Sequence, residues 1–319
     1  MKTKLTELLQ IEHPVMLAGM GGVSYSALVA AVSDSGGFGT LGASTMGTDK
    51  MVEEMETVRK LTDRPFGVDL LTAMPGDMVG QVQKVIDGGA TLFVAGLGVP
   101  REVIELCHEN GLLVANMCGK VAHALRAVEA GCDFVIAQGT EAGGHTGQVA
   151  TMPLVPQIVD AVGDKVPVVA AGGIFDGRGL VAALALGAQG IWIGTRFIAT
   201  PEARAVLGYK DKLISTAEDG TTISKAYSGK TMRVLKNSYT DEWEKKSEEL
   251  QPFPSQALHS MQEGVFHLGG DSSLEGIDVQ RECYPAGQGT GAIKDLVPAG
   301  EIVRSIVAQA EAVIKSMPN

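Results

Sequence analysis

The 319-residue sequence predicts an α/β protein, a (β/α)8 TIM barrel with a smaller cap inserted between the eighth strand and a C-terminal helix. Three observations predict it. Short apolar runs alternate with segments of helical period, at a rhythm of roughly 25 residues. There are eight runs, each nearly continuous in apolar residues, as in parallel strands covered on both faces. Several helical segments end at glycine, as in DSGG, DGGA, ENG, EAG and LGA, the position that favours a left-handed C-cap, and account for part of the 41 glycines.

Taken in order, the strand runs are 14–20, 38–43, 66–71, 91–95, 112–117, 134–138, 166–171 and 191–197. Helical periodicity fills 24–35, 48–61, 77–87, 100–109, 121–130, 152–162 and 177–186. Repeated βα units imply a parallel sheet with helical crossovers. Eight of them within about 190 residues suit a closed barrel better than an open doubly wound sheet. The eighth helix is missing after Phe197. A polar stretch containing Pro252, Phe253 and Pro254 follows instead, and only then an amphipathic segment over 299–316. The expected organisation is a barrel over 1–200, a cap over 201–298 above its C-terminal face, and a helix over 299–319 completing the ring.

Composition excludes several classes. Lys+Arg 26 against Asp+Glu 37 gives −11, a field that repels nucleic acid and anionic membranes. No run of 18 apolar residues suggests a membrane span. The start, with Glu7 and Glu12, does not read as a signal peptide. Cys107, Cys118, Cys132 and Cys283 match neither a metal knuckle nor a disulfide framework, so reduced thiols, a cytoplasmic location and no metal are expected.

Barrel active sites lie beyond the C-terminal ends of the strands. Gly172 and Gly173 follow the seventh run, and Gly194 and Thr195 follow the eighth. Bare backbone N–H groups there, with a helix N-terminus near Gly177, suit a phosphate. Two G-x-G-x-x-G/A strings, at Gly37, Gly39, Gly42 and at Gly287, Gly289, Ala292, lack the strand-turn-helix context of a dinucleotide fingerprint. After the sixth run, His145 lies in a glycine-rich loop, QGTEAGGHTG, where an imidazole can exchange a proton at neutral pH. His13, His108, His123, His259 and His267 lack such a setting. Residues 201–240 carry seven Lys/Arg (Arg204, Lys210, Lys212, Lys225, Lys230, Arg233, Lys236) against four Asp/Glu, a stretch that reads as an ordinary solvated face or as a basic rim for a nucleotide, coenzyme A or an acidic carrier.

PVMLAGM, RPFGVDLL, QGTEAGGHTG, AAGGIFDGRG, GTRF and AGQGTG together resemble the FMN-dependent nitronate monooxygenase family, which shares these motifs with flavin-containing enoyl-acyl-carrier-protein reductases and certain NAD(P)H:quinone reductases. The resemblance runs nearly end to end. It implies that Gly172, Gly173, Gly194 and Thr195 bind the FMN phosphate. It places Gly19, Met20, Gln138, Gly139, Gly287 and Gln288 around the ring or ribityl chain, with Asp69 facing the flavin and His145 as the active-site histidine. Two positions depart from the family strings: Leu17-Ala18-Gly19-Met20 stands for Gln-Gly-Gly-Met, and Asp69 stands for Asn. An amide donates and accepts, whereas a carboxylate only accepts, so Asp69 must meet a donor or stay protonated.

The implied reaction is oxidation of an alkyl nitronate, with molecular oxygen as second substrate, to a carbonyl compound and nitrite. The alternative is NADH- or NADPH-dependent reduction of an enoyl thioester or quinone, and a third is a flavin-binding protein without turnover. The apolar cap residues Trp243, Phe253, Phe266 and Leu268 fit packing within the chain or a homodimer contact.

Overall fold

The computed structural model describes residues 1–71, 77–96, 98–271 and 273–317. Eight parallel strands, β1 (Val15–Leu17), β2 (Gly39–Gly42), β3 (Phe66–Leu71), β4 (Leu92–Gly96), β5 (Leu113–Cys118), β6 (Phe134–Gln138), then β8 (Val168–Ala171) and β9 (Gly190–Ile193) after the short β7 (Gly144–His145), run in the order β1-β9-β8-β6-β5-β4-β3-β2. A parallel bridge between Met16 and Phe38 joins the two ends, with Leu17 N–H donating to Phe38 O at 2.9 Å and Phe38 N–H to Val15 O at 2.9 Å. The ring is thereby closed into the expected barrel.

Strand alternation divides the apolar side chains into two layers. Met16, Phe38, Leu92, Val94, Ala115, Phe134, Ile136, Val169 and Trp192 point into the barrel. Val15, Leu41, Val68, Phe93, Val114, Val135, Ala170 and Ile191 point outward. The helices α2 (Ser26–Asp34), α3 (Thr48–Leu61), α4 (Met78–Asp87), α5 (Arg101–Glu109), α6 (Val121–Ala130), α7 (Thr151–Val162) and α8 (Gly177–Ala185) cover the outer layer, following the α1 helix (Lys4–Leu9) in the chain.

Helix α1 is a structural addition to the sequence pattern. Thr3 and Thr6 form a capping box around its first turn, and Leu5 and Leu9 insert into the interior layer from below. A Cβ built on Gly190 would lie 2.4 Å from Leu5 Cδ2, so this plug fits directly beneath a strand. Leu5→Ala is expected to cost about 2–5 kcal/mol through the cavity it leaves, read as a lower urea midpoint; an unchanged midpoint would show that α1 does not plug the barrel.

Two apolar runs are longer than the strands they form, for local reasons. The first ladder stops at Leu17 because Ser24 Oγ donates to Ala18 O at 2.8 Å and accepts from Met20 N–H at 3.1 Å, turning 18–20 away from the sheet. The eighth stops at Ile193, after which α9 (Thr195–Ile198) begins.

Residues 201–298 form α10 (Leu207–Ser215), β10 (Thr221–Ser224), β11 (Met232–Leu235), α11 (Ser238–Lys245) and α12 (Ser255–Gln262). They have a small core of their own around Tyr227, Met232, Val234, Tyr239, Val265 and Phe266. Trp243, Phe253 and Leu268 pack on this core, so these three side chains are used within the chain, while Leu207, Leu258 and Met261 stay exposed. Helix α13 (Ala299–Ser316) then packs on α8 and α2, in the place of the barrel's eighth helix, and Gln309 Oε1 accepts from Gly177 N–H at 2.8 Å. Among the described residues no helix is long and apolar enough to cross a membrane.

Candidate active site

The interior positions nearest the C-terminal ends of the strands form the floor of a cavity of about 310 Å³. Ala18, Asp69, Met117, Gln138, Ala171 and Trp192 supply that floor. Loops after β6, β8 and β9 form its walls, and Tyr209, Met232, Phe266, Leu268 and Pro285 enclose it from the 201–298 segment. Tyr209 is fixed by stacking on Tyr284, ring centroids 4.4 Å apart, and by its hydroxyl donating to Pro285 O.

His145 lies in this wall because two elements distant in sequence pair there. β7 is an antiparallel partner of β11, with Met232 opposite His145 and Arg233 opposite Gly144, in the three-stranded sheet β10-β11-β7. From below, Gln138 Nε2 donates to His145 O at 2.9 Å. The ring Nε2 lies 3.0 Å from Ser228 Oγ, a buried hydroxyl that also accepts from Lys230 N–H and donates to Lys230 O, each at 3.3 Å. When Ser228 accepts from Lys230 N–H and donates to His145 Nε2, the neutral ring carries its proton on Nδ1 and keeps one N–H donor for a ligand. His145 is exposed, with its ring on the cavity, yet the protein around it desolvates the charged form. Desolvation, reinforced by the Lys230 charge, lowers its pKa below 6.5 and keeps it neutral at neutral pH.

Asp69 is the second unusual group. Its side chain is 3% exposed, and among the described residues nothing hydrogen-bonds its carboxyl. A Cβ built on Gly19 would fall 2.2 Å from Asp69 Cβ and 2.7 Å from Oδ2, so the carboxyl lies directly against the Gly19 backbone. Burial alone pushes its pKa well above the usual carboxylate range. The folded chain therefore holds a proton that the unfolded chain releases above about pH 3.9. Folding stability consequently falls as pH rises from there to the folded pKa, by about 1.4 kcal/mol per unit. Asp69→Asn removes that loss. Its stability relative to wild type is expected to rise with pH from about pH 4 up to the folded pKa in urea unfolding, and a constant difference would show a carboxyl whose pKa the fold leaves unmoved.

The glycines after β8 and β9 form a cradle. Gly172 (φ 104°) and Gly173 (φ 71°) occupy the left-handed region open to glycine. Among the described residues no group accepts the backbone N–H of Gly172, Gly173, Gly194 or Thr195. The α8 N-terminus is not part of this cradle, contrary to the sequence expectation. Asp176 caps it through Arg178 N–H and Gly179 N–H at 3.0 and 3.3 Å, and Gln309 takes Gly177 N–H. Thr195 Oγ1 accepts from Gly287 N–H at 2.9 Å, and Gln288 N–H donates to Glu141 O at 2.9 Å, which draws segment 286–289 across the mouth.

Of the site residues expected from sequence, Gly19, Met20, Asp69, Gln138, His145, Gly172, Gly173, Gly194, Thr195 and Gly287 line the cavity. Gly139 and Gln288 do not. Gly139 is pressed against Thr151, and Gln288 faces a neighbouring cleft between α7 and α8. Met117 and Trp192 were accessible to period-two counting along their strands, whereas Ser228 carries no sequence signal. The basic stretch is dispersed: Lys210 Nζ is buried on Thr200 O, Arg233 donates to Thr140 O, and Arg204 and Lys236 pair with Asp271 and Asp241. Among the described residues no group of His, Cys, Asp and Glu could hold a metal.

A parallel barrel with a cavity at its strand ends, a neutral histidine in the wall and a glycine cradle beside it give the chain the site of a barrel enzyme. The chain belongs to the nitronate monooxygenase family, which it matches over residues 2–79 and 70–309. It is 39% identical over 245 residues to the Mycobacterium tuberculosis (3aS,4S,5R,7aS)-5-hydroxy-7a-methyl-1-oxo-octahydro-1H-indene-4-carboxyl-CoA dehydrogenase, covering 76% of this chain and 69% of that protein. A Staphylococcus aureus "Probable nitronate monooxygenase" is 32% identical over 300 residues, 80% of this chain and 84% of that protein. The structure of FabK from Thermotoga maritima superposes with a TM-score of 0.89 at 33% identity, covering 99% of this chain and 98% of that one.

Proposed function

We propose that this chain is an FMN-dependent oxidoreductase whose substrate presents an uncharged carbonyl, an acyl thioester by class. One observation carries the substrate reading: no described Lys or Arg lines the cavity, and its one histidine is neutral. An anionic nitronate entering it would lose hydration without gaining a fixed cation. A thioester carbonyl needs only a hydrogen-bond donor. The dehydrogenase relative, whose name specifies a carboxyl-CoA compound, supports the same reading.

The residues present fit FMN. The unpartnered N–H groups of Gly172, Gly173, Gly194 and Thr195 suit its phosphate, while Gly19, Met20, Asp69, Gln138 and Gly287 border the space for its ring. When bound, FMN supplies two-electron transfer. His145 holds the substrate carbonyl by a hydrogen bond, stabilising charge that gathers on oxygen during redox chemistry at the adjacent carbons, and exchanges the accompanying proton. Phe266, Leu268 and Met232 exclude water from above. Segment 201–298 thus serves as a cover that also sets the register of His145.

The family's name and the Staphylococcus aureus relative favour a second reading, nitronate oxidation with oxygen as co-substrate. Anaerobic mixing of the FMN-loaded protein with NADH, NADPH and propyl nitronate in turn separates the two. Bleaching by a nicotinamide, reversed by an enoyl-CoA, is the expected result. Bleaching by the nitronate alone would establish the second reading in its place.

A further inference from the structure

Among the described residues Asp69 is the one ionisable group on the cavity floor. Its neighbours offer it no charge. β2 and β4, which flank β3, carry no titratable side chain, nor does segment 43–45. α2 carries only Asp34, at its C-terminal end, where Thr62 Oγ1 donates to it. The other titratable groups lining the cavity are His145 and Tyr209, both in the walls. The carboxyl is pressed on Gly19, a backbone position bordering the same space as Gln138 and Met20. A buried acid of this kind, with no partner among the described residues, responds to whatever charge arrives in the cavity beside it.

We propose that Asp69 couples a proton to the redox state of the site: its carboxyl is retained or regained in uncharged form when bound FMN takes up electrons. The proposal rests on the FMN reading above. Two electrons entering the ring bring one proton with them and leave the ring with one additional negative charge. Beside that charge a carboxylate is disfavoured, and where Asp69 is ionised with the oxidised cofactor it takes a second proton from solvent, becoming the neutral acid. On reoxidation that proton returns to solvent. The electrons come from the reductant used in turnover, and Asp69 itself is neither oxidised nor reduced. The carboxyl therefore opposes reduction only at pH values where it must first find a proton. An asparagine at 69, with no proton to exchange, lacks this dependence.

The test is the reduction potential of bound FMN, measured by equilibrium dye reduction with dithionite across a range of pH, in wild type and Asp69→Asn. Both proteins share any break due to the flavin itself. Between the pKa of Asp69 beside oxidised FMN and its higher pKa beside reduced FMN, wild type is expected to take up one more proton per two electrons than the variant. Its potential then falls more steeply with pH over that interval. Parallel lines at every pH would overturn the proposal while leaving the cofactor reading intact. A wild-type protein that takes up no FMN would overturn both. Should Asp69→Asn fail to hold FMN, redox-induced infrared difference spectra of wild type carrying isotope-labelled aspartate decide the matter. A labelled uncharged-carboxyl band that gains intensity or shifts on reduction supports the coupling, and its absence at every pH overturns it.

Discussion

Replacing His145 by Asn is expected to leave FMN bound and to slow turnover by about 10²–10⁴-fold, the usual contribution of a positioned acid–base group. The amide keeps a donor facing the cavity but loses the titrating proton. Binding should survive because the cradle at Gly172, Gly173, Gly194 and Thr195 lies on other loops, and because β7 meets β11 through backbone groups. The pH profile carries the sharper signature. Burial and Lys230 lower the His145 pKa, so the neutral ring predominates through the neutral range and the wild-type limb lies on the acid side of the ordinary histidine value. The His145→Asn variant should lack that limb. Ser228→Ala tests how the ring is held: removing the hydroxyl 3.0 Å from Nε2 frees the choice of tautomer, and a smaller loss in kcat with the limb retained is the expected outcome. Turnover and pH dependence unchanged in His145→Asn would remove His145 from the chemistry.

How much of this was legible in the sequence follows from the range of the interactions involved. The barrel was, because each strand and helix declares itself by local period, and the match between α13 and the predicted 299–316 segment follows from its amphipathic face. The glycine pairs after β8 and β9 were legible because a left-handed φ selects glycine. The α8 terminus was misread because Asp176 sits one residue before the helix and, as a cap, consumes the N–H groups an anion would use. Ser228 was invisible because its partner is 83 residues away, joined only through the pairing of β7 with β11. The positive balance of 201–240 was real arithmetic, yet burial decides where charge goes: Lys210 and Arg233 turn inward to carbonyls, and composition cannot show that. For Asp69, strand alternation could place the side chain inside the barrel, while only packing against Gly19 shows how little room remains for a partner.

Gly172→Val is expected to abolish FMN binding at accessible concentrations, weakening it by about 100-fold or more, equivalent to about 2.7 kcal/mol. Two costs combine. A β-branched residue is strained at φ 104° by about 1–3 kcal/mol. Its Cβ would also stand 2.8 Å from Thr151 Oγ1, 3.0 Å from Gly139 O and 3.2 Å from Ala142 N. None of these neighbours is a free side-chain end. Thr151 Oγ1 is held by Glu141 Oε2 at 2.8 Å and Gly172 O at 3.0 Å, and Gly139 O receives Thr146 Oγ1 at 3.1 Å. Relief therefore requires moving the 139–146 loop, which carries His145, so the lesion reaches both ends of the site. Gly111→Ala separates strain from crowding. Gly111 has φ 70° with nothing within 4 Å of its built Cβ, so that variant should lose about 1 kcal/mol of stability and bind FMN as wild type does. Flavin fluorescence titration reads the affinities and urea unfolding the stabilities. Equal affinity in Gly172→Val and wild type would mean that the phosphate is held elsewhere, and comparable losses of affinity in both variants would trace the effect to general destabilisation instead of the cradle.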